Sequence, residues 1–154
     1  MPVTGTLSHI DISVCDPDRS IPFYDVFFRA LGYRRWIHDD DAWRGDRPRR
    51  ASWFLRCGDG SIFGVEARPA SGENRERRYD RYAPGPHHLA FNADAPATVD
   101  RVHAALRDAG ATVLDPPADY GGQPGYEPGY YAAFFADPDG VKLEVAHIPS
   151  TNPG

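Results

Sequence analysis

The chain has 154 residues, 41% hydrophobic, 12% aromatic and 25% charged, a composition that excludes a disordered, collagen-like or coiled-coil protein as the main state. No stretch approaches the roughly 20 apolar residues of a membrane-spanning helix, and a net charge of −5 argues against nucleic acid as the main partner. Two cysteines, Cys15 and Cys57, are too few for a disulfide framework, and Met1 to Gly5 carries no basic and apolar leader, so the expected location is cytoplasmic.

Charge is unevenly spread. Residues 1–84 hold 14 arginines against 13 acids, and residues 85–154 hold three basic residues against nine acids. Lys142 is the single lysine, and with abundant Ala, Pro and Gly this arginine bias reads as the mark of a GC-rich genome.

In chain order, His9 to Val14 alternates polar and apolar residues and predicts a strand. Asp16-Pro17 then opens a helix whose apolar stripe is Ile21, Tyr24, Phe28 and Leu31, closed by Gly32. Three strand candidates follow, Tyr33 to His38, Ala51 to Cys57 and Ser61 to Ala67, with Gly58-Asp59-Gly60 turning the last pair. Asp39 to Arg50 reads as a charged loop. The pattern then repeats. His88 to Ala93 predicts a strand, and Val99, Val102, Leu106 and Ala109 form a helical stripe 78 residues after the first. Asp94 is the expected cap of that helix and Gly110 its stop. Ala111 to Leu114, Tyr130 to Ala136 and Val141 to Ile148 complete the set, with Asp137-Pro138-Asp139-Gly140 as the final turn. The architecture is α+β, two βαβββ modules at 6–68 and 86–148 in a single domain over 1–154, joined by a charged linker at 69–85. Asp115 to Gly129, rich in Gly and Pro, reads either as a flexible lid or as a plain strand connection.

The chemistry lies in a matched set of polar residues. His9 opens the first module and Glu66 stands near its end; His88 opens the second and Glu144 stands near its end, at separations of 57 and 56 residues. Repeated modules bring equivalent positions together, so two imidazoles and two carboxylates would meet as ligands for one divalent ion, Ni, Zn, Co, Fe or Mn, with positions left for water or substrate oxygens. Strand alternation selects His88 over His87 as the partner of His9, because it sets Leu89, Phe91 and Ala93 opposite Ile10, Ile12 and Val14. His87, His38, His103 and His147 then read as structural.

The stretches Ser8-His9-Ile10, Val65-Glu66, His88-Leu89-Ala90-Phe91 and Asp137-Pro138-Asp139-Gly140-Val141-Lys142-Leu143-Glu144 resemble the vicinal oxygen chelate superfamily, the glyoxalase, bleomycin-resistance and extradiol dioxygenase group. The resemblance implies paired βαβββ modules in an incompletely closed eight-stranded barrel, a divalent metal on His9, Glu66, His88 and Glu144, a small-molecule substrate that chelates it, and a homodimer. It also implies the glyoxalase reaction, in which a ligand glutamate, Glu66 or Glu144, moves a proton beside the chelating oxygens. Two glutathione contacts of glyoxalase I are replaced, by Ser13 and Ala70, so an isomerase, lyase or epimerase working on another thiol adduct or acidic C–H fits the same site. Asp11, Tyr126 and Tyr131 are candidate pocket residues. The alternatives are an extradiol-type dioxygenase, whose tyrosine position is Phe134 here, a thiol transferase, whose threonine position is Asp11, or a non-catalytic drug binder using Tyr120, Tyr126, Tyr130 and Tyr131.

Overall fold

A computed structural model describes residues 4–36 and 49–151 and divides the chain into two units, Met1–Arg77 and Arg78–Gly154. The boundary falls inside the segment expected as linker. Most of the charged loop expected at Asp39 to Arg50, together with His38, lies outside the described residues.

In the first unit, strand β1 (His9–Val14) leads to helix α1 (Pro17–Ala30), then β2 (Arg34–Arg35), β3 (Ala51–Arg56) and β4 (Ile62–Pro69). Asp16 caps α1 by accepting from the Asp18 N–H, and Gly32, at φ 85°, ends it. There the Gly32 and Tyr33 N–H groups donate back to the Arg29 and Phe28 carbonyls, the glycine-dependent stop expected of this sequence. The sheet runs β1-β4-β3-β2, with β1 parallel to β4 and the others antiparallel. One face packs on α1. Ile12, Val14, Trp53, Val65 and Ala67 from the sheet are buried with Ile21, Tyr24, Phe27 and Phe28 from the helix, and Trp53 meets Phe28 at 5.1 Å between ring centroids.

The second unit repeats the order: β5 (Leu89–Asn92), α2 (Pro96–Asp108), β6 (Thr112–Asp119), β7 (Tyr131–Ala136) and β8 (Lys142–His147). Its sheet runs β5-β8-β7-β6, again with one parallel pair, β5 and β8. Two expectations are corrected here. Ala95, not Asp94, is the capping residue of α2; Asp94 instead accepts from the Thr98 hydroxyl at 2.5 Å. Asp115 to Asp119, read from sequence as part of a lid or connection, continues β6 through two register shifts. Pro116 and Pro117 are accommodated there because β6 is the edge strand, where a missing N–H is tolerated. The Asp137 carboxylate is buried in the β7–β8 turn and accepts from the Asp139 and Val141 N–H groups, so that motif is organised by its own side chain.

Candidate functional site

Register places the functional side chains. In the second unit Ala90, Glu144 and Phe134 are neighbours across β5, β8 and β7, and neighbours in register share a face. The alternate residues turn to α2: Phe135 meets His103 of that helix, and Tyr131 donates to Asp100 on it at 2.9 Å. Glu144 therefore stands on the face away from α2, at 4% exposure, and a carboxylate buried this deeply requires partners. It has two. Tyr130 donates to Oε1 at 2.5 Å, and His88 Nε2 lies 3.0 Å from Oε2. Burial first, and then the bond to the Glu144 carboxylate, hold the Tyr130 phenol well above its ordinary value, so Tyr130 stays a donor.

An aromatic wall surrounds this pair. Tyr126 meets Tyr130 edge-on at 4.8 Å and Tyr120 at 5.4 Å, and Tyr120 meets Phe134 at 5.7 Å. The loop carrying Tyr126 is closed at its base by the Tyr120 N–H donating to the Tyr130 carbonyl. A side chain at Gly121 would stand 2.8 Å from the Gly129 nitrogen, so glycine permits the closure. Lys142 sits 4.2 Å over the Phe134 ring. Beyond Glu144, the His88 Nδ1 atom lies 2.8 Å from Nδ1 of His87.

In the first unit His9 pairs in register with Gly64, and Asp11 with Glu66, so all share the face away from α1, which with Trp36, Phe54 and Ser52 lines a cavity of about 390 Å³. Glu66 is spoken for. Its Oε1 accepts from Arg50 at 3.1 Å and Arg68 at 2.8 Å, and its Oε2 accepts from Ser52 at 3.1 Å. Arg68 also reaches Asp11 at 2.8 Å. His9 Nδ1 bonds to the Ser8 hydroxyl at 2.8 Å.

Of the four expected ligands the structure brings together His88 and Glu144. Among the described residues no group of three or more His, Cys, Asp or Glu side chains is arranged to hold a metal ion. By donor chemistry the imidazole and carboxylate of His88 and Glu144 suit a divalent ion. Glu66 is paired within the first unit, its charge with Arg50 and Arg68 and its second oxygen with Ser52. Asp11 is drawn into that same ion network. Of the pocket tyrosines, Tyr126 stands in the wall beside Glu144, whereas Tyr131 faces α2; the tyrosine that meets Glu144 is Tyr130. Arg50, Ser52 and Arg68 were not singled out as site residues by sequence, and Tyr130 was named only in the drug-binder alternative. His147 and His103 have ordinary surroundings, the Ala93 carbonyl and the Phe135 ring.

The profile of the Glyoxalase/Bleomycin resistance protein/Dioxygenase superfamily matches residues 6–145. YqjT of Bacillus subtilis (strain 168), an uncharacterized protein, is 30% identical over 143 residues, 90% of this chain and 96% of its own. A provisionally assigned glyoxalase from Bacillus halodurans superposes with a TM-score of 0.68 at 25% identity, over 94% of this chain and 96% of that one. A glyoxylase/bleomycin resistance protein/dioxygenase domain from Frankia sp. EAN1pec gives 0.65 at 22% identity, over 94% and 93%, a likeness of fold alone.

Proposed function

This chain belongs to the glyoxalase/bleomycin resistance protein/dioxygenase superfamily, and from that premise we propose that it is a divalent-metal-dependent isomerase or lyase of the glyoxalase type. The reaction is a proton transfer at a carbon beside adjacent chelating oxygens of a small substrate. One observation carries the reading: the buried Glu144 carboxylate, divided between Tyr130 and His88 beside an aromatic wall. His88 and Glu144 are the candidate metal ligands of the second unit and His9 that of the first; when bound, the ion supplies positive charge that stabilises negative charge on substrate oxygens.

The chain's own residues do the rest. The Glu144 carboxylate takes the proton from the substrate carbon, the electron pair of that C–H bond moves toward the neighbouring carbonyl oxygen, and the same carboxyl returns the proton to the adjacent carbon while the hydroxyl proton of the first carbon passes to the former carbonyl oxygen; with an acyl thioester the proton returns to the carbon it left. Tyr130, held protonated, fixes Oε1 and so the direction in which the carboxylate points. Tyr120, Tyr126 and Phe134 receive the apolar part of the substrate. Glu66, neutralised by Arg50 and Arg68, organises the first unit's cavity. With Ser13 and Ala70 in place of two glutathione contacts, the substrate class is a thiol adduct other than glutathione's or an epimerisable acyl thioester.

The test is deuterium wash-in at the substrate carbon, with protein purified without chelator and its metal content measured. About one Ni, Co or Zn per chain is expected, and Glu144→Gln should slow exchange roughly 10²–10⁴-fold. Exchange unaffected by that substitution overturns the assignment of the base. The aromatic wall supports a second reading, a small-molecule binder, which takes the lead if the protein binds no metal and still retains an aromatic ligand.

A further inference from the structure

An imidazole that binds a metal through Nε2 must present that nitrogen as a lone pair, and its remaining N–H then needs a fixed acceptor. For His88 the nearest polar atom at Nδ1 is another imidazole nitrogen. His87 Nδ1 lies 2.8 Å away, with the two rings edge-on at 84°, and on the other side His88 Nε2 lies 3.0 Å from Glu144. Two Nδ1 atoms at this separation share one hydrogen. While His88 Nε2–H bonds Glu144, the shared hydrogen sits on His87; once Nε2 is freed for a ligand, it sits on His88 and His87 accepts it.

We infer that His87 is the positioning residue of His88, holding its ring orientation and accepting its Nδ1–H once Nε2 is given to a ligand. The inference rests on the reading of His88 as a metal ligand. It reverses the expectation that His87 is a structural bystander, and it gives the preceding segment a task. The Tyr79 N–H donates to the Asp139 carbonyl in the β7–β8 turn at 3.2 Å, and the Tyr79 hydroxyl donates to the Pro86 carbonyl. Tyr79 thus ties the start of residues 79–86 to the turn and closes that segment on its own last residue, Pro86, just before His87. The Tyr82 ring, itself under the Arg81 guanidinium at 5.5 Å, braces the His87 ring edge-on at 5.6 Å. His87 is exposed and packs in no core, so its substitution separates positioning from stability.

Calorimetric titration of the metal-free full chain with Zn and with Ni tests this. His87→Ala should weaken binding roughly 10–100-fold with the melting temperature of the metal-free protein unchanged, and His87→Asn, whose amide can accept or donate at the same place, should restore it to within about threefold. Alanine binding as tightly as wild type, or asparagine as weakly as alanine, overturns the inference. Long-range ¹H–¹⁵N spectra of the metal-free protein supply the readout that does not depend on a metal. His88 should be the Nε2–H tautomer in both proteins, with its Nδ1 resonance shifted toward that of a solvated nitrogen in His87→Ala. If the wild type binds no metal, the metal reading of the site fails, and the Nδ1 resonance alone decides: a His88 Nδ1 signal indifferent to His87→Ala overturns the positioning role.

Discussion

Asp25 serves two partners at once: it accepts from the Trp53 indole N–H at 2.9 Å and from Arg35 through both oxygens at 2.9 and 2.8 Å. Trp53 is 2% exposed, so Asp25→Ala strands a buried donor and should cost about 1–3 kcal/mol in urea unfolding. A loss below about 0.5 kcal/mol would mean that water replaces the carboxylate there. Tyr130→Phe probes a different role. It leaves the ring wall in place and removes one donor to Glu144, so deuterium exchange should slow while metal content stays that of the wild type; lost metal would instead make Tyr130 part of the binding site. Which residues were legible follows strand parity. The Asp137–Gly140 turn pairs Phe134 with Glu144, so even-numbered residues leading into β7 share the face of Glu144 and odd-numbered ones face α2. Choosing Tyr131 over Tyr130 missed that count. The partners of Glu66 were not legible for another reason: Arg50 and Ser52 reach it across a strand pair, and no spacing along the chain announces a cross-strand partner.

At the scale of elements, the helix stops were readable because Gly32 and Gly110 adopt positive φ, which other residues rarely do. The helix starts were not equally readable. Asp16 caps by accepting from a backbone N–H, whereas Asp94 accepts from a side chain one turn on, a difference of backbone entry that the shared Asp and nearby Pro conceal. The Thr98 hydroxyl holds the Asp94 carboxyl below its ordinary value. A carboxyl with a lowered folded value stabilises fully above its unfolded value of about 3.9 and loses that contribution as pH falls through the folded one. The stability difference between wild type and Asp94→Asn should therefore shrink as melting is measured from pH 5 down to about 2; a difference constant over that range would show that the Asp94 charge plays no part. Strand β6 was cut short by sequence reading because paired prolines normally end a strand, and only its place at the sheet edge lets it continue.

Across the whole molecule the repeat was the most legible feature, since two apolar stripes each closed by glycine fix the order βαβββ in both units before any contact is known. Charge divides the same way: residues 78–154 carry ten acids against five basic residues. A divalent cation approaching that unit is drawn in by its field, so metal association should slow severalfold in stopped-flow experiments as salt rises from about 10 to 200 mM, with dissociation nearly unchanged. Equal sensitivity of both rates would place the effect in the bound state. The pairing of β5 with β8 has a further consequence in time. The β7–β8 hairpin joins neighbours along the chain, while His88 and Glu144 stand 56 residues apart, and contacts between distant residues form late because closing the intervening loop costs entropy first. On the ribosome His88 emerges well before its carboxylate has been made. On the proposed function, metal capture by the second unit would report completed folding, and a chain halted before β8 would carry the helix and the histidines without the partner that gives them purpose.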